Sequence, residues 1–479
     1  MTRRFSTYEQ AVDFLFGRIN YEHAQSRALK NSDFKLDRMR RLLAGLGNPH
    51  EQIPAVHIAG TKGKGSTAVM LSEILNSVGY RVGLFTSPHL STFEERMRVN
   101  GMMPTQAEVV DLINAVAEVT SIMDRENKNL CATFFEITTA MAWLYFLQRG
   151  VEIVSLEVGL GGRLDSTNLC RPEVCVITNI SKDHVAILGN TVEQIAREKA
   201  GIIKRGIPVV SGVTTTGPQA VIDEACRVHE ADLWLKDREI FAHYFPTGTC
   251  ETTEILSGRV DVETPVRTWR QVPVTLPGVH QGDNAALALA TVDRLCRLGW
   301  SIDEAKVSAG MQQVRWPARI EIVRRRPWVI LDAAHNLASC QALTATLTDR
   351  FPGRRRIVIF AVSKDKDVAG LVNQMVHAAD ELIFTQYLSN PRATPGEDLV
   401  RMAQSQKPGS YHYAASPREA WMMAQQLSTP DDVICITGSF FLAAEMREMW
   451  LQQPELSPHL TTLGSNGETL CSKEGVTAE

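Results

Sequence analysis

Short apolar runs alternate with helix-length segments along most of the chain. Ala55–Ala59 (AVHIA) reads as a buried strand, Gly65–Val78 as a helix and Arg81–Phe85 as the next strand. Thr133–Arg149 has a helical pattern with a start signal. Thr133 and Glu136 stand in T-x-x-E spacing, which lets hydroxyl and carboxylate cap each other's backbone N–H groups. Glu152–Val158, Val174–Thr178 and Pro208–Ser211 read as further strands, with a helix over Thr191–Lys204 between the last two. Alternation on this scale predicts βαβ units and a mainly parallel, doubly wound α/β sheet.

Residues 236–275 break the rhythm. They are rich in Thr, Val and Pro and contain alternating patches such as RVDVETPVRTW, which predict small hairpins in a β-rich insertion. Helical pattern resumes at Asp283–Leu298 and Ile302–Gln313. Arg315–Arg319 (RWPAR) reads as a hinge, because Pro317 disfavours helix at Trp316. Beyond it Trp328–Leu331, Arg356–Val362, Glu381–Thr385 and Asp432–Thr437 read as strands with helices between. The expected organisation is an N-terminal domain over residues 1–314 and a smaller α/β domain over 315–452. Residues 453–479 carry no apolar period and are expected to be a disordered tail.

Composition narrows the class without naming an activity. The 479 residues carry 50 basic and 54 acidic side chains, a net charge of −4, which gives no global field for nucleic acid or an anionic membrane. Nine cysteines, with no C-x-x-C pair, point to a reducing compartment and buried thiols. The first twenty residues lack the continuous apolar stretch of a signal peptide, and no run reaches the ~18 apolar residues of a membrane helix. A cytoplasmic, soluble protein is expected.

The sharpest local feature is Gly60-Thr61-Lys62-Gly63-Lys64-Gly65-Ser66, which follows a strand and opens a helix. Three glycines let backbone N–H groups turn toward phosphate oxygens, and the helix N-terminus adds partial positive charge. Lys64 supplies a point charge for the β- and γ-phosphates, and Ser66 is placed to help hold Mg²⁺. In the usual G-x-x-x-x-G-K-[ST] loop the hydroxyl residue follows Lys directly. Here Gly65 intervenes, which points away from ordinary GTPases and kinases.

Ligands of doubly wound sheets sit beyond the carboxyl ends of the strands. Three predicted strands end there in polar groups: Thr86–His89, Glu157–Arg163 and Asn179–His184. A carboxylate, an imidazole and a hydroxyl on one edge suit a divalent cation that bridges phosphates. Each alone is more readily a capping, solvated or structural group. Lys199, in REKAGII, reads by itself as part of a solvated helical charge run.

Ten segments occur in order: HIAGTKGKGS, FTSPHL, ERMRVNG, TFFE, LEVGLGGRLDSTN, ITNISKDHVAILGNT, REKAGI, HQGDNAALA, WPARIE and LDAAHN. Together they resemble the folylpolyglutamate synthase/dihydrofolate synthase family, a branch of the Mur ligase superfamily, from about Asn20 to Trp450. The resemblance implies a Mur-ligase-like fold: a P-loop, doubly wound N-terminal ATPase domain followed by a smaller Rossmann-like α/β domain. It also implies an activity. ATP phosphorylates a carboxylate of the folate, and the α-amino group of L-glutamate attacks the acyl phosphate, leaving an amide, ADP and phosphate.

By the same resemblance Thr61, Lys62, Gly63, Lys64, Gly65 and Ser66 hold the ATP phosphates, with Lys64 also catalytic. Ser87, Glu157 and His184 match ligands of two Mg²⁺ ions, and Lys199 matches a lysine that is carbamylated in the family. Asn284 matches a base contact, Arg319 and Asp332 match ATP contacts from the second domain, and His335 lies beside them as a catalytic candidate. The pterin end of the folate is expected near Ile19, Asn20, Tyr21, Phe134, Phe135, Glu136, Leu164, Asp165 and Ser166. Phe at a helix start is more often core than ligand contact. Three positions depart from the family pattern: Lys62 where Asn is usual, Ala333 where Gly is common, and WPAR in place of WPGR. Ala333 would disfavour a positive φ.

The expected partners are a folate or dihydropteroate and L-glutamate, with no nucleic acid, no membrane and a monomeric chain. Folate polyglutamylation leads. Dihydrofolate synthase activity, alone or in addition, uses the same phosphate and metal groups. A cell-wall Mur ligase and a non-catalytic ATP-binding regulator are the remaining readings.

Overall fold

A computed structural model describes residues 4–20, 36–247 and 257–452. Sixteen strands are present among them. The first seven are β1 (Pro54–Ala59), β2 (Val82–Phe85), β3 (Met97–Val99), β4 (Ile153–Glu157), β5 (Arg171–Ile177), β6 (Val209–Ser211) and β7 (Leu233–Leu235). They form one sheet in the order β3-β2-β4-β1-β5-β6-β7, parallel except for β3. Val56 and Ile58 of β1 point to one face and meet Ala68, Leu71 and Leu75 of the helix Lys64–Ser77. Ala55, Val154 and Leu156 point to the other, against Ile137 and Met141 of the helix Phe134–Gln148. Burial on both faces is why these strands read as unbroken apolar runs.

The expected strands and helices are present with ends shifted by a few residues. The capping box of Thr133 and Glu136 forms. The helix expected over Thr191–Lys204 stops at Ala200, and Ile202 and Ile203, which extended its apolar pattern, are buried in the turn beyond. A 21-residue helix, Gln106–Glu126, opens with its own capping box of Thr105 and Glu108. The edge strand β3 is only three residues long, too short to leave an alternation signal.

Residues 236–275 yield β8 (Phe241–Thr247), β9 (Ser257–Glu263) and β10 (Thr268–Val274), a three-stranded antiparallel sheet. It is no loose appendage. Val260, Val262, Trp269, Val272 and Val274 are buried in the same core as Val56 and Ile58, over the helix Val279–Arg297. Asp293 of that helix accepts from Thr264 Oγ1 at 2.6 Å and Trp269 Nε1 at 3.2 Å, and Arg267 lies 2.8 Å away.

The remaining strands, β11 (Glu321–Arg325), β12 (Trp328–Leu331), β13 (Arg356–Phe360), β14 (Glu381–Phe384), β15 (His412–Tyr413) and β16 (Val433–Thr437), form a second sheet. Its order is β11-β12-β16-β13-β14-β15, with only β11 antiparallel. The helix Phe440–Gln452 closes one face, where Trp450 meets Trp421 edge-on at 5.3 Å. The buried Arg350, at the end of the helix Leu337–Arg350, donates to Thr247 O, Ser257 O and Tyr244 Oη, tying this half to the antiparallel sheet.

Between the two large sheets the chain turns sharply. Ala318 (φ 53°) and Ile320 (φ 50°) both adopt left-handed backbone, a conformation costing about 1–2 kcal/mol for a residue with a Cβ. The strain falls on the Ala of WPAR, while Ala333 is not among the positive-φ residues. Asp332 Oδ2 holds the turn by accepting from Ile320 N at 2.9 Å. Residues 453–479, expected as a tail, lie outside the described residues.

If the antiparallel sheet is part of the core, Trp269→Ala should lower the stability of the N-terminal half by about 3–5 kcal/mol in urea denaturation. A detachable insertion would lose far less.

Candidate active site

The carboxyl ends of β1, β4 and β5, the three central strands of the first sheet, face the carboxyl end of β12 across a cleft of about 860 Å³. This is where a doubly wound sheet opens a crevice, because connections leave the central strands in opposite directions.

The phosphate loop follows β1. Gly60 runs close to β5: a Cβ there would lie 1.9 Å from Thr178 Oγ1. Thr178 Oγ1 donates to Lys62 O at 2.5 Å, Lys62 N donates to Asn179 Oδ1 at 3.0 Å, and Thr61 N donates to Asn179 O at 2.9 Å. Gly63 has φ 82°, and a Cβ on it would sit 2.2 Å from Asn284 Oδ1. Asn284 is thereby packed on the loop, with its Nδ2 donating to Gln281 Oε1 at 2.9 Å. The helix begins at Lys64 without a side-chain cap, so its first N–H groups are open to the cleft. Thr61, Lys62, Gly63, Lys64, Gly65, Ser66 and Asn284 all line it.

Glu157 ends β4 and is buried. Its Oε2 accepts from Ser87 N at 3.2 Å, and its Oε1 lies 3.8 Å from Lys64 Nζ. Burial raises its pKa, with Lys64 and the Ser87 N–H acting against the rise. A buried carboxylate still raised beside a lysine is short of countercharge, which a hard dication would supply. His184, 38% exposed toward the same cleft, has its pKa lowered by enclosure and then by Lys366, Lys62 and Lys199, against the pull of Asp183. The shift favours the neutral imidazole, the form that binds a metal. Among the described residues no three of His, Cys, Asp and Glu converge on a metal-sized centre. Mg²⁺ needs none, since it takes one or two carboxylates and completes its shell with phosphate oxygens and water.

Lys199 is no solvated charge. It is buried, and its Nζ donates to Gly60 O at 2.8 Å. Burial, then Lys64, lowers its pKa to about 7. From the second sheet, Asp332 Oδ1 accepts from Ala334 N at 2.8 Å, and burial raises its carboxyl despite Arg319. His335 Nδ1 lies 2.9 Å from Ala333 O, an acceptor, so Nδ1 carries the proton and Nε2 is the lone pair. Arg319, Asp332 and His335 line the cleft.

The candidate pterin-contacting residues divide. Phe135, Glu136, Leu164, Asp165 and Ser166 line the cleft. Phe134 does not: it is fully buried, stacked under Phe16 at 5.2 Å with Arg96 over its ring, so its aromatic surface is spent on the core. Glu136 is engaged by Arg38 at 3.0 Å and by Thr133 N at 2.7 Å, and Asp165 by Leu160 N and Thr167 N at 2.8 and 3.0 Å. Both carboxylates shape the wall. Ile19 is 56% exposed and, like Asn20, is not among the lining residues; its carbonyl accepts from Phe134 N at 3.0 Å. Tyr21 lies outside the described residues. Phe16 and Arg38 on this wall, and Lys366 and Arg392 opposite, line the cleft without having been singled out from sequence. No spacing marks them, since each reaches the site only through tertiary packing.

Two family models match the chain: Mur ligase middle domain over residues 58–292, and Mur ligase, glutamate ligase domain over 318–440. A dihydrofolate synthase/folylpolyglutamate synthase of Bacillus subtilis is 34% identical over 440 residues, covering 91% of this chain and 97% of its own. A folylpolyglutamate synthase of Lacticaseibacillus casei is 33% identical over 431 residues, covering 88% and 95%. The solved folylpolyglutamate synthase of Mycobacterium tuberculosis, complexed with ADP and AMPPCP, matches with a TM-score of 0.82 at 30% identity, covering 92% of this chain and 98% of that one. The Escherichia coli FolC structure with DHPP and ADP matches with a TM-score of 0.81 at 28% identity, covering 95% and 100%. Fold and phosphate loop thus define an ATP-dependent, amide-forming ligase of the Mur type. Within that class the chain belongs to the dihydrofolate synthase/folylpolyglutamate synthase family.

The lowered pKa of Lys199 has a signed consequence. Between about 7 and the ordinary 10.5 the unfolded chain binds the proton that the folded chain has released, so this residue makes stability rise with pH across that window. Lys199→Met should flatten that part of the rise in denaturation midpoints measured from pH 7 to 10. An unchanged slope would show that the amine is not held in a desolvated site.

Proposed function

We propose that this ligase joins L-glutamate to a folate, acting as a tetrahydrofolylpolyglutamate synthase through an acyl-phosphate intermediate. The observation that carries this reading is the single cleft shared by the phosphate loop, Glu157, Lys199, an aromatic wall at Phe16 and Phe135, and Asp332 and His335 from the second sheet. A nucleotide, an aromatic carboxylic acid and an amino acid need to meet in one place, and these groups supply a surface for each.

A carboxylate resists attack because oxide is a poor leaving group. Transfer of the γ-phosphoryl group makes the leaving group phosphate and removes the anion's repulsion of nucleophiles. The protein's work is then mostly positioning and charge stabilisation. Residues 61–66 hold the phosphates by N–H groups, with Lys64 against the transferring group. Ser87, Glu157 and His184 are the residues to hold Mg²⁺, which when bound neutralises phosphate charge. Arg319 and Asp332 meet the nucleotide from the other side, Asn284 stands at the loop for the base, and His335 offers a neutral imidazole where glutamate enters. Lys199, released from its proton near neutral pH, is primed to react with CO2. Its nitrogen bonds to carbon and a proton leaves to solvent, giving a carbamate that suits a metal-bearing site.

Dihydrofolate synthase activity is the second reading. The wall of Phe16, Phe135 and Leu164 holds an aromatic ring system equally well when the accepting carboxylate is the benzoate of dihydropteroate. We further propose that residues 1–314 and 315–452 act as the two catalytic domains, with closure across Arg315–Arg319, in a monomeric cytoplasmic enzyme without nucleic acid or membrane partners. No helix among the described residues is long and apolar enough to cross a membrane.

Glutamate-dependent phosphate release, measured side by side with tetrahydrofolate and dihydropteroate, decides between the two. Release with tetrahydrofolate is expected, and release with dihydropteroate alone moves the assignment to the second reading. Absence of release with either overturns both. Lys64→Ala should reduce turnover by about a hundredfold or more with an unchanged circular dichroism spectrum.

A further inference from the structure

Asp183, in the segment after β5, joins three side chains from the two sides of the cleft. Its Oδ2 accepts from Lys62 Nζ at 3.1 Å and from Asn336 Nδ2 at 3.3 Å, and its Oδ1 accepts from Lys366 Nζ at 2.8 Å. Lys62 and Asp183 come from the half containing the first sheet, whereas Asn336 and Lys366 come from the half containing the second. The carboxylate is only 8% exposed and Lys366 12%, so solvent screens the cluster little. Lys62 donates a second bond, to His335 Nε2 at 2.9 Å. The His335 ring is thus held at both nitrogens, by Ala333 O from its own half and by Lys62 from the opposite one.

Lys62 is itself fixed at its backbone, by Asn179 Oδ1 on its N–H and Thr178 Oγ1 on its carbonyl. Its backbone therefore stays with the first half if the halves separate. The Asp183 carboxylate also keeps two lysines from facing each other unscreened, since without it Lys62 and Lys366 repel across the cleft.

We infer that Lys62 is a positioning residue for His335, and that Lys62, Asp183 and Lys366 form a latch which makes this positioning depend on contact between the two halves. An ammonium has three N–H groups, and the Asp183 and His335 bonds use two. A phosphate oxygen bound in the loop can take the third without breaking the latch. Loading of the phosphate loop and orientation of the imidazole are then connected through a single side chain. Reading the cleft as the site of an ATP-dependent ligation is the basis for assigning His335 a role in turnover. The latch as such rests only on the contacts.

The test uses the full-length chain with Lys62→Met, His335→Gln, the two combined, and Asp183→Asn. Lys62→Met should lower kcat about tenfold or more at saturating ATP while changing ADP affinity less than about threefold. The double variant should turn over no more slowly than His335→Gln alone, because Lys62 acts through that ring. Small-angle scattering of the ligand-free protein should show a larger radius of gyration for both Lys62→Met and Asp183→Asn. A tenfold loss of ADP affinity with unchanged kcat would make Lys62 a phosphate clamp and overturn the proposal. So would additive losses in the double variant, or an unchanged radius in both latch variants. Circular dichroism and thermal melts identify a variant that has merely unfolded. If the wild type shows no glutamate-dependent turnover, the ligase reading fails, and scattering alone then judges the latch.

Discussion

Everything in the cleft depends on the close approach of Gly60 to Thr178. A chain that must turn its N–H groups toward a phosphate cannot also satisfy them internally, so it needs support from its carbonyls and flanks. The Thr178 hydroxyl on Lys62 O and the Asn179 amide on Lys62 N supply that support. Neither bond can form unless β1 and β5 are neighbours and the residue between them lacks a Cβ. The sheet order is therefore a chemical requirement of the loop as much as a packing solution. Lys199 extends the same logic. Its amine donates to Gly60 O, so the first glycine of the loop anchors both the phosphate cradle and the buried lysine behind it.

The charges of the site are ordered by desolvation. Glu157 and Asp332 are raised by burial, Lys199 is lowered to about 7 and Lys62 to about 8. Asp183 moves the other way: burial alone would raise it, but the Lys62 and Lys366 ammonium groups hold it well below the usual carboxylate range. Opposite shifts within one cleft show where countercharge is present and where it is wanting. Asp183 is bonded to two lysines within the protein, while Glu157 has the Ser87 N–H and a lysine 3.8 Å away. The first bridges the two halves, and the second leaves unbalanced negative charge at the cleft.

The two halves are not joined by the cleft alone. Arg350 donates to backbone carbonyls of Thr247 and Ser257, neutral acceptors, whereas the cluster at Asp183 is made of charges that line the cleft. Left-handed Ala318 and Ile320 form the tight turn between the halves. The antiparallel sheet of β8, β9 and β10 serves as core on one side and receives Arg350 from the second half.

The amino-acid sequence by itself determined the alternating α/β architecture, the phosphate loop and its strand-to-helix setting, and the capping box at Thr133. It also supplied the ordered motifs that carry the family. Each of these is local: a periodicity, a spacing or a run of neighbours expresses the physics of one element. Tertiary structure decided what has no local expression. It turned Phe134 inward and Phe135 outward, although nothing but the helix's orientation distinguishes the two. Lys199 became a desolvated amine because the phosphate loop lies over it, where its sequence surroundings read as a solvated charge run. Lys366, 183 residues from Asp183, became its partner. Burial and charge pairing are properties of distance in space, and a chain folded into two sheets brings together residues whose separation in sequence carries no information about their contact.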